Sequence, residues 1–125
     1  MVSGIPELRE IDDDEMRRTL TETRPYTVVL LHPGPEFGSP GARAIIWEHG
    51  RRNMQLRDAG ILSIVLPVRD GGDLSGVGVF GAGVEETTAI MAGDPAVAAG
   101  VLVAEVHAAS GFLGSTLPDV APEGS

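Results

Sequence analysis

Apolar residues follow two spacing patterns along this chain, one typical of strands and one typical of helices. Short runs rich in valine, leucine and isoleucine predict β-strands, whereas apolar residues three and four positions apart predict helices. Turn-forming glycines and prolines separate the runs. The predicted strands cover residues 26–32, 61–66, 74–82 and 101–106, and the predicted helices cover residues 42–59 and 84–92.

The helix predicted over residues 42–59 carries the most informative pattern. One stripe of this helix carries Ile45, His49, either Arg52 or Asn53, and Leu56, so His49 is expected on or beside the face that packs on the sheet. Gly60 follows as a helix-ending glycine. The preceding loop, residues 33–41, contains three prolines and three glycines and is long enough to cover a pocket.

The order of these elements is β-α-β-β-α-β, which predicts an α+β fold of the ferredoxin-like type. The expected sheet is antiparallel, with strand order 4-1-3-2 and both helices on one face. The other face is then apolar and uncovered. A second copy of the same face is the simplest cover, so the architecture predicts a homodimer.

The two ends of the chain are predicted to lie outside this domain. Asp12 or Asp13 can cap a short helix whose first turn is acidic, and Pro25 is expected to end it. Residues 1–25 are therefore predicted to form an N-terminal helical arm, residues 26–109 the domain, and residues 110–125 a C-terminal tail.

Composition excludes several function classes. The formal net charge is −9, from 18 acidic and 9 basic residues, which disfavours nucleic acid and anionic membrane surfaces as partners. The chain has no cysteine, so disulfides, thiolate metal sites and cysteine nucleophiles are excluded. The acidic N-terminus has no signal-peptide pattern and no apolar run is long enough to span a bilayer, so a cytoplasmic protein is expected.

The predicted topology brings several polar residues to one end of the sheet. His32 ends the first strand, and His49 lies in the first half of the helix predicted over residues 42–59. Residues 67–73, which include Arg69, connect the second and third strands. Asp94 follows the second helix and lies at the same end. His107 belongs to the opposite end and is expected to be unrelated.

A carboxylate beside an imidazole can fix its tautomer and raise its pKa, which suits general acid–base catalysis. His49 and Asp94 are therefore candidate catalytic residues. The alternative is structural: His49 as a hydrogen-bonded histidine at the edge of the core, and Asp94 binding exposed amides at a helix end. Spacing alone favours this structural alternative.

Other chemistries lack their motifs. No HxH or HExxH spacing indicates a metal site, no GxGxxG or GxxxxGK[ST] indicates a phosphate loop, and no GxSxG indicates a serine hydrolase. No metal and no cofactor are expected.

Several short motifs resemble those of the YCII-related (YciI-like) proteins. The matching features are His49 early in the first helix, the LxxAG pattern at residues 56–60, the hairpin 61–82, and Asp94-Pro95 before the last strand. With the first strand, the resemblance covers residues 26–109. The chain has Leu-Pro at 66–67 where the family often has Gly-Pro, and no aromatic residue follows Asp94-Pro95.

The resemblance implies a dimeric α/β barrel with a ferredoxin-like protomer and a His–Asp active site, carried here by His49 and Asp94. One characterised relative is a dehydrochlorinase of a chlorinated hydroxyhydroquinone, and muconolactone isomerases share the wider fold. The sequence hypothesis is cofactor-independent proton transfer, an isomerisation or elimination on a small cyclic or aromatic molecule. His32 and Arg69 would bind a polar substituent. The alternative is a non-catalytic dimeric module that binds a small ligand or a partner.

Overall fold

The computed structural model describes residues 4–119, which form an α+β domain with four strands in one sheet. The elements in chain order are α1 (Asp13–Leu20), β1 (Thr23–Pro33), α2 (Ala42–Asp58), β2 (Leu62–Pro67), β3 (Gly76–Phe80), α3 (Val84–Ala92), α4 (Pro95–Ala98) and β4 (Leu102–Phe112).

The sheet is antiparallel throughout, with strand order β2-β3-β1-β4. This is the predicted order 4-1-3-2 read from the other edge, and it is compatible with a small ferredoxin-like fold. The central strand β1 pairs with β4 over eleven residues, from Thr23 opposite Phe112 to Pro33 opposite Leu102. The prediction of an α+β fold with an antiparallel four-stranded sheet is confirmed.

The core lies between one sheet face and the helices. Val29 and Leu31 of β1 and Phe80 of β3 are buried there, packed with Ile45 of α2 and Met91 of α3. Successive residues of a strand point to opposite faces, so this face takes every second residue. On β3 the same alternation puts the glycines of Gly-Val-Gly-Val-Phe on the core side, and both glycines are buried.

The opposite face of the sheet, here called the open face, carries half-exposed apolar side chains. Val28 and Leu30 of β1, Ile64 of β2, Val79 of β3 and Val103 of β4 alternate with the core residues. The helices α2, α3 and α4 pack with the core on the other side of the sheet, so no described helix covers these side chains. The expected uncovered apolar face is therefore present in the described part of a single chain.

Several element boundaries differ from the predictions, most of all at the two ends of the domain. The N-terminal helix begins as expected, with Asp12 accepting a hydrogen bond from the amide of Glu15, but it ends at Leu20. Pro25 does not end it, because Pro25 already lies in β1, opposite Ser110. The strand β4 continues to Phe112 instead of stopping at residue 106, since its pairing with the extended β1 supplies partners for the added residues.

A further difference concerns the chain after α3. The segment Gly93-Asp94-Pro95 was predicted to end a helix and begin the last strand, but the short helix α4 intervenes. Pro95 occupies the first position of α4, where its missing amide hydrogen costs nothing. The same proline therefore prevents continuation of α3 and begins α4.

None of the helices within residues 4–119 has both the length and the apolar character needed to cross a bilayer.

Candidate functional site

His49 reaches the core from the middle of α2. Its side chain is 10% exposed, while its neighbour Glu48 points outward and pairs with Arg51. Ile45 and Leu56 on the same stripe pack against the core, which orients the helix so that the imidazole faces inward. The prediction from periodicity that His49 lies on the inward stripe is confirmed.

Asp94 is fully buried and caps α4. One carboxylate oxygen, Oδ2, accepts hydrogen bonds from the backbone amides of Ala96 at 2.9 Å and Val97 at 3.2 Å. These amides have no partner within a helix of this length. The capping geometry holds the carboxylate in one orientation, with its second oxygen directed at α2.

The two side chains form a direct pair. His49 Nδ1 lies 2.8 Å from Oδ1 and 2.9 Å from Oδ2 of Asp94. A carboxylate only accepts hydrogen bonds, so Nδ1 carries a proton. On the other side of the ring, Asn53 Nδ2 lies 3.2 Å from His49 Nε2 and donates to it. Both contacts fit a neutral imidazole whose lone pair is on Nε2.

The electrostatics of the pair favour an ionised carboxylate. Burial acts to raise the pKa of Asp94. This effect is outweighed by the hydrogen bond from His49, by the positive charge of the His49 ring when it is protonated, and by the hydrogen bonds from the backbone amides of Val97 and Ala96, all of which lower the pKa. The pKa of Asp94 is therefore below its ordinary value. At neutral pH the site therefore presents an imidazole whose Nδ1 is held by a fixed negative charge.

Arg52 adds a positive charge behind the carboxylate. Its Nη1 is 3.9 Å from Asp94 Oδ1, beyond hydrogen-bonding distance. That nitrogen is buried and has no hydrogen-bond partner among the described residues. The guanidinium also packs against Gly93, where an added Cβ would lie 3.1 Å from Nη2.

A cavity of about 620 Å³ opens beside His49 between α2 and the core face of the sheet. The walls are apolar, with Val29, Leu31, Ile46, Met54, Phe80 and Met91 among them. Pro33 and Phe37 contribute from the end of β1 and the loop after it. The loop predicted over residues 33–41 therefore contributes two residues to the cavity wall. A cavity of this volume suits a small organic ligand.

Two predicted binding residues lie away from this cavity. His32 is on the open face, where its Nε2 is 2.8 Å from Glu105 Oε1. Arg69 is exposed in the β2–β3 connection and is not among the cavity-lining residues. A shared end of the sheet did not guarantee a shared site, because His32 and His49 are on opposite faces.

His107 is connected to His32, contrary to the expectation that it would be unrelated. Its Nε2 lies 2.8 Å from Glu105 Oε2, so one carboxylate bridges the two imidazoles. These hydrogen bonds, from His107 and then His32, lower the pKa of Glu105. All three side chains are at least partly exposed on the open face.

Within residues 4–119, no group of three or more histidine, cysteine, aspartate or glutamate side chains is arranged to hold a metal ion. No protein-family model matches the chain, and no curated protein matches it either.

Sequence reasoning assigned no role in the site to Asn53 or to the glycines of β3. Asn53 follows His49 by four residues, a spacing that makes side chains neighbours on a helix, and this signal could have identified it. Gly76 and Gly78 line the cavity. Their alternation with valines was visible, but which face they occupy depends on strand register.

Proposed function

We propose that this protein catalyses proton transfer on a small cyclic molecule without a cofactor, with His49 as the general base and Asp94 as its orienting carboxylate. The observation that carries the proposal is the buried Asp94–His49 pair at the wall of an apolar cavity. Nδ1 is fixed by the carboxylate, so Nε2 is the nitrogen available to a ligand. Asn53, which now donates to Nε2, can turn its amide toward a ligand oxygen.

Two reactions are consistent with one base. In an isomerisation, Nε2 takes a proton from one ligand carbon, the C–H electrons shift through the conjugated system, and the imidazolium returns the proton to another carbon. In an elimination, the same electrons form a double bond and the leaving group departs with its own electron pair. The negative charge of Asp94 stabilises the intermediate imidazolium in both cases.

The test is solvent deuterium exchange into a panel of small cyclic ketones and enones, followed by proton NMR. We expect exchange above the buffer rate in the native protein and its loss in His49→Gln. His107→Gln is the matched control, because it removes a histidine outside the cavity. Exchange that is equal in the native protein and His49→Gln, or absent from the native protein across the panel, would contradict the proposal.

A second candidate function is ligand binding without chemistry. It is favoured by one observation, namely that both ring nitrogens of His49 are already hydrogen-bonded within the chain. On this reading, ligands shift the NMR signals of the cavity residues but undergo no exchange. The same deuterium experiment separates the two functions.

The proposal also includes membership of the YCII-related family and a homodimer that closes into an α/β barrel. The strand order, the paired His49 and Asp94, and the exposed apolar side chains of the open face support it. A cytoplasmic location remains a prediction for cell fractionation to test.

We expect sedimentation at micromolar concentration to give twice the mass of one chain. Val79→Glu, on the open face, should shift the protein to monomer because it buries an unpaired charge in the interface. Arg51→Glu, on the outer side of α2, should not. A native monomer, or a Val79→Glu dimer as strong as the native one, would count against this interface.

A further inference from the structure

Three parts of the cavity wall bear on the kind of ligand it can hold. They are the mostly uncharged lining, the floor formed by Gly76 and Gly78 of β3, and the polar corner formed by His49 and Asn53. Of the described residues that line the cavity, His49 is the only one with a titratable side chain, and Asn53 and Ser75 are its other polar side chains. We infer that the cavity selects an uncharged ligand with a broad apolar body and one hydrogen-bonding group, which is placed between His49 Nε2 and Asn53. The inference rests on the proposed function only in placing the ligand at Nε2.

Charge is the first argument. Bringing an ion into an apolar cavity is costly unless an opposite charge meets it. The nearest cation behind the site, Arg52, is beside Asp94 and is not part of the lining. Asp94 itself is 0% exposed and its oxygens are engaged by His49 and two amides. Apart from His49, no lining side chain can carry a charge, so a carboxylate or ammonium group finds no permanent counter-charge in the cavity, and the net charge of −9 further disfavours anions.

The floor is the second argument. Gly76 and Gly78 of β3 face the cavity, while Val77 and Val79 alternate with them. At Gly76 no side chain covers the strand, so a ligand can approach its backbone directly. At Gly78 the space is narrower, because a Cβ there would lie 3.3 Å from Leu62 Cδ1 and 3.3 Å from Phe80 Cε1. A Cβ on Gly76 would meet only ordinary contacts, 3.5 Å from the Leu66 carbonyl oxygen and 3.7 Å from Leu31 Cδ1. The strand therefore has room for a Cβ at residue 76, and this space borders the cavity.

The polar corner is the third argument. Asn53 Nδ2 and His49 Nε2 are 3.2 Å apart, so a single ligand group can contact both. The amide can donate to a ligand oxygen, while Nε2 can accept the proton of a ligand hydroxyl or, in a ketone, face the hydrogen on the α-carbon that the proposed base would remove. This pairing matches a neutral alcohol or a ketone that carries a hydrogen on its α-carbon.

The experiment compares three probes that share one fused bicyclic body: 2-tetralone, tetralin-2-carboxylate and 2-aminotetralin. Amide and imidazole NMR signals of the full chain are followed during titration. We expect 2-tetralone to shift the signals of Gly76, Gly78 and His49, and each charged probe to bind at least about tenfold more weakly. Equal or tighter binding of a charged probe, or no binding of 2-tetralone, would overturn the inference.

Two variants locate the binding site. Gly76→Val fills the floor and should weaken 2-tetralone binding at least about tenfold, while Val79→Thr, on the same strand but the open face, should leave it unchanged. Retained binding in Gly76→Val would also overturn the inference. If the charged probes bind well and deuterium exchange still depends on His49, this inference is wrong and the proposed function stands. If the protein selects 2-tetralone but catalyses no deuterium exchange, the proposed function is wrong and this inference stands.

Discussion

Asp94→Ala should lower the free energy of unfolding by about 3 kcal/mol, because it removes a helix cap and the hydrogen bond to an imidazole together. Asp94 is 0% exposed, so water cannot replace the lost contacts in the folded protein. The substitution also leaves the guanidinium of Arg52 without its neighbouring carboxylate. Urea unfolding measures the change, and a loss below about 1 kcal/mol would show that the pair is not needed for stability.

Asp94→Asn separates the two roles of this side chain. The amide oxygen can keep the bonds from Ala96 and Val97, so we expect a loss of only about 1 kcal/mol. The amide nitrogen then faces His49 Nδ1 and donates to it, which moves the ring proton to Nε2. Nitrogen-15 NMR of the imidazole should show this reversed tautomer, and deuterium exchange should fall at least about 100-fold. An unchanged tautomer would contradict the role given to Asp94.

The pH dependence of this contribution has a defined direction. The pKa of Asp94 in the folded protein is below its ordinary value, so its stabilising effect is fully present above the unfolded pKa of about 4. It is lost as pH falls through the lower folded pKa. The stability difference between the native protein and Asp94→Asn should therefore shrink below about pH 4.

Gly34→Ala should destabilise the fold by about 3 kcal/mol through a purely steric conflict. Its Cβ would overlap the carbonyl oxygen of Gly100 and lie 3.0 Å from the carbonyl carbon of Gly100 and 3.2 Å from that of Val101. These are backbone atoms, which cannot rotate away. Residue 34 would have to move away from residues 100 and 101. This movement would break two hydrogen bonds, in which Gly34 N donates to Val101 O at 2.8 Å and Glu36 N donates to Gly100 O at 2.9 Å.

The steric conflict at residue 34 should also disturb the candidate site, because Val101 N donates a hydrogen bond to the carbonyl oxygen of Ala96 in α4. A displaced residue 101 moves the helix that Asp94 caps, so the His49 ring signals should shift in Gly34→Ala. Gly38→Ala is the matched control in the same loop: no heavy atom lies within 4 Å of its Cβ position. Its stability should stay within about 0.5 kcal/mol of the native value, and comparable losses in both variants would contradict the steric explanation.

Local chemistry was sufficient to predict most of the fold. The helix 42–59 and the strand order followed from apolar spacing and from turn residues such as Gly60, whose φ of 79° confirms it as the helix-ending glycine. Pro25 was misinterpreted because its ring favours neither helix interior nor central strand, and only the pairing with Ser110 shows that this end of β1 accommodates it.

The sequence by itself determined that His49 faces inward on its helix and that Asp94 follows the next helix closely, because both depend on local periodicity and helix-end signals. Only the tertiary structure decided that the two side chains meet at 2.8 Å, that His32 belongs to the other face, and that Gly76 and Gly78 form a cavity floor. The physical reason is that strand register and sheet face are set by pairing between distant segments. A one-residue change in register would exchange the two faces.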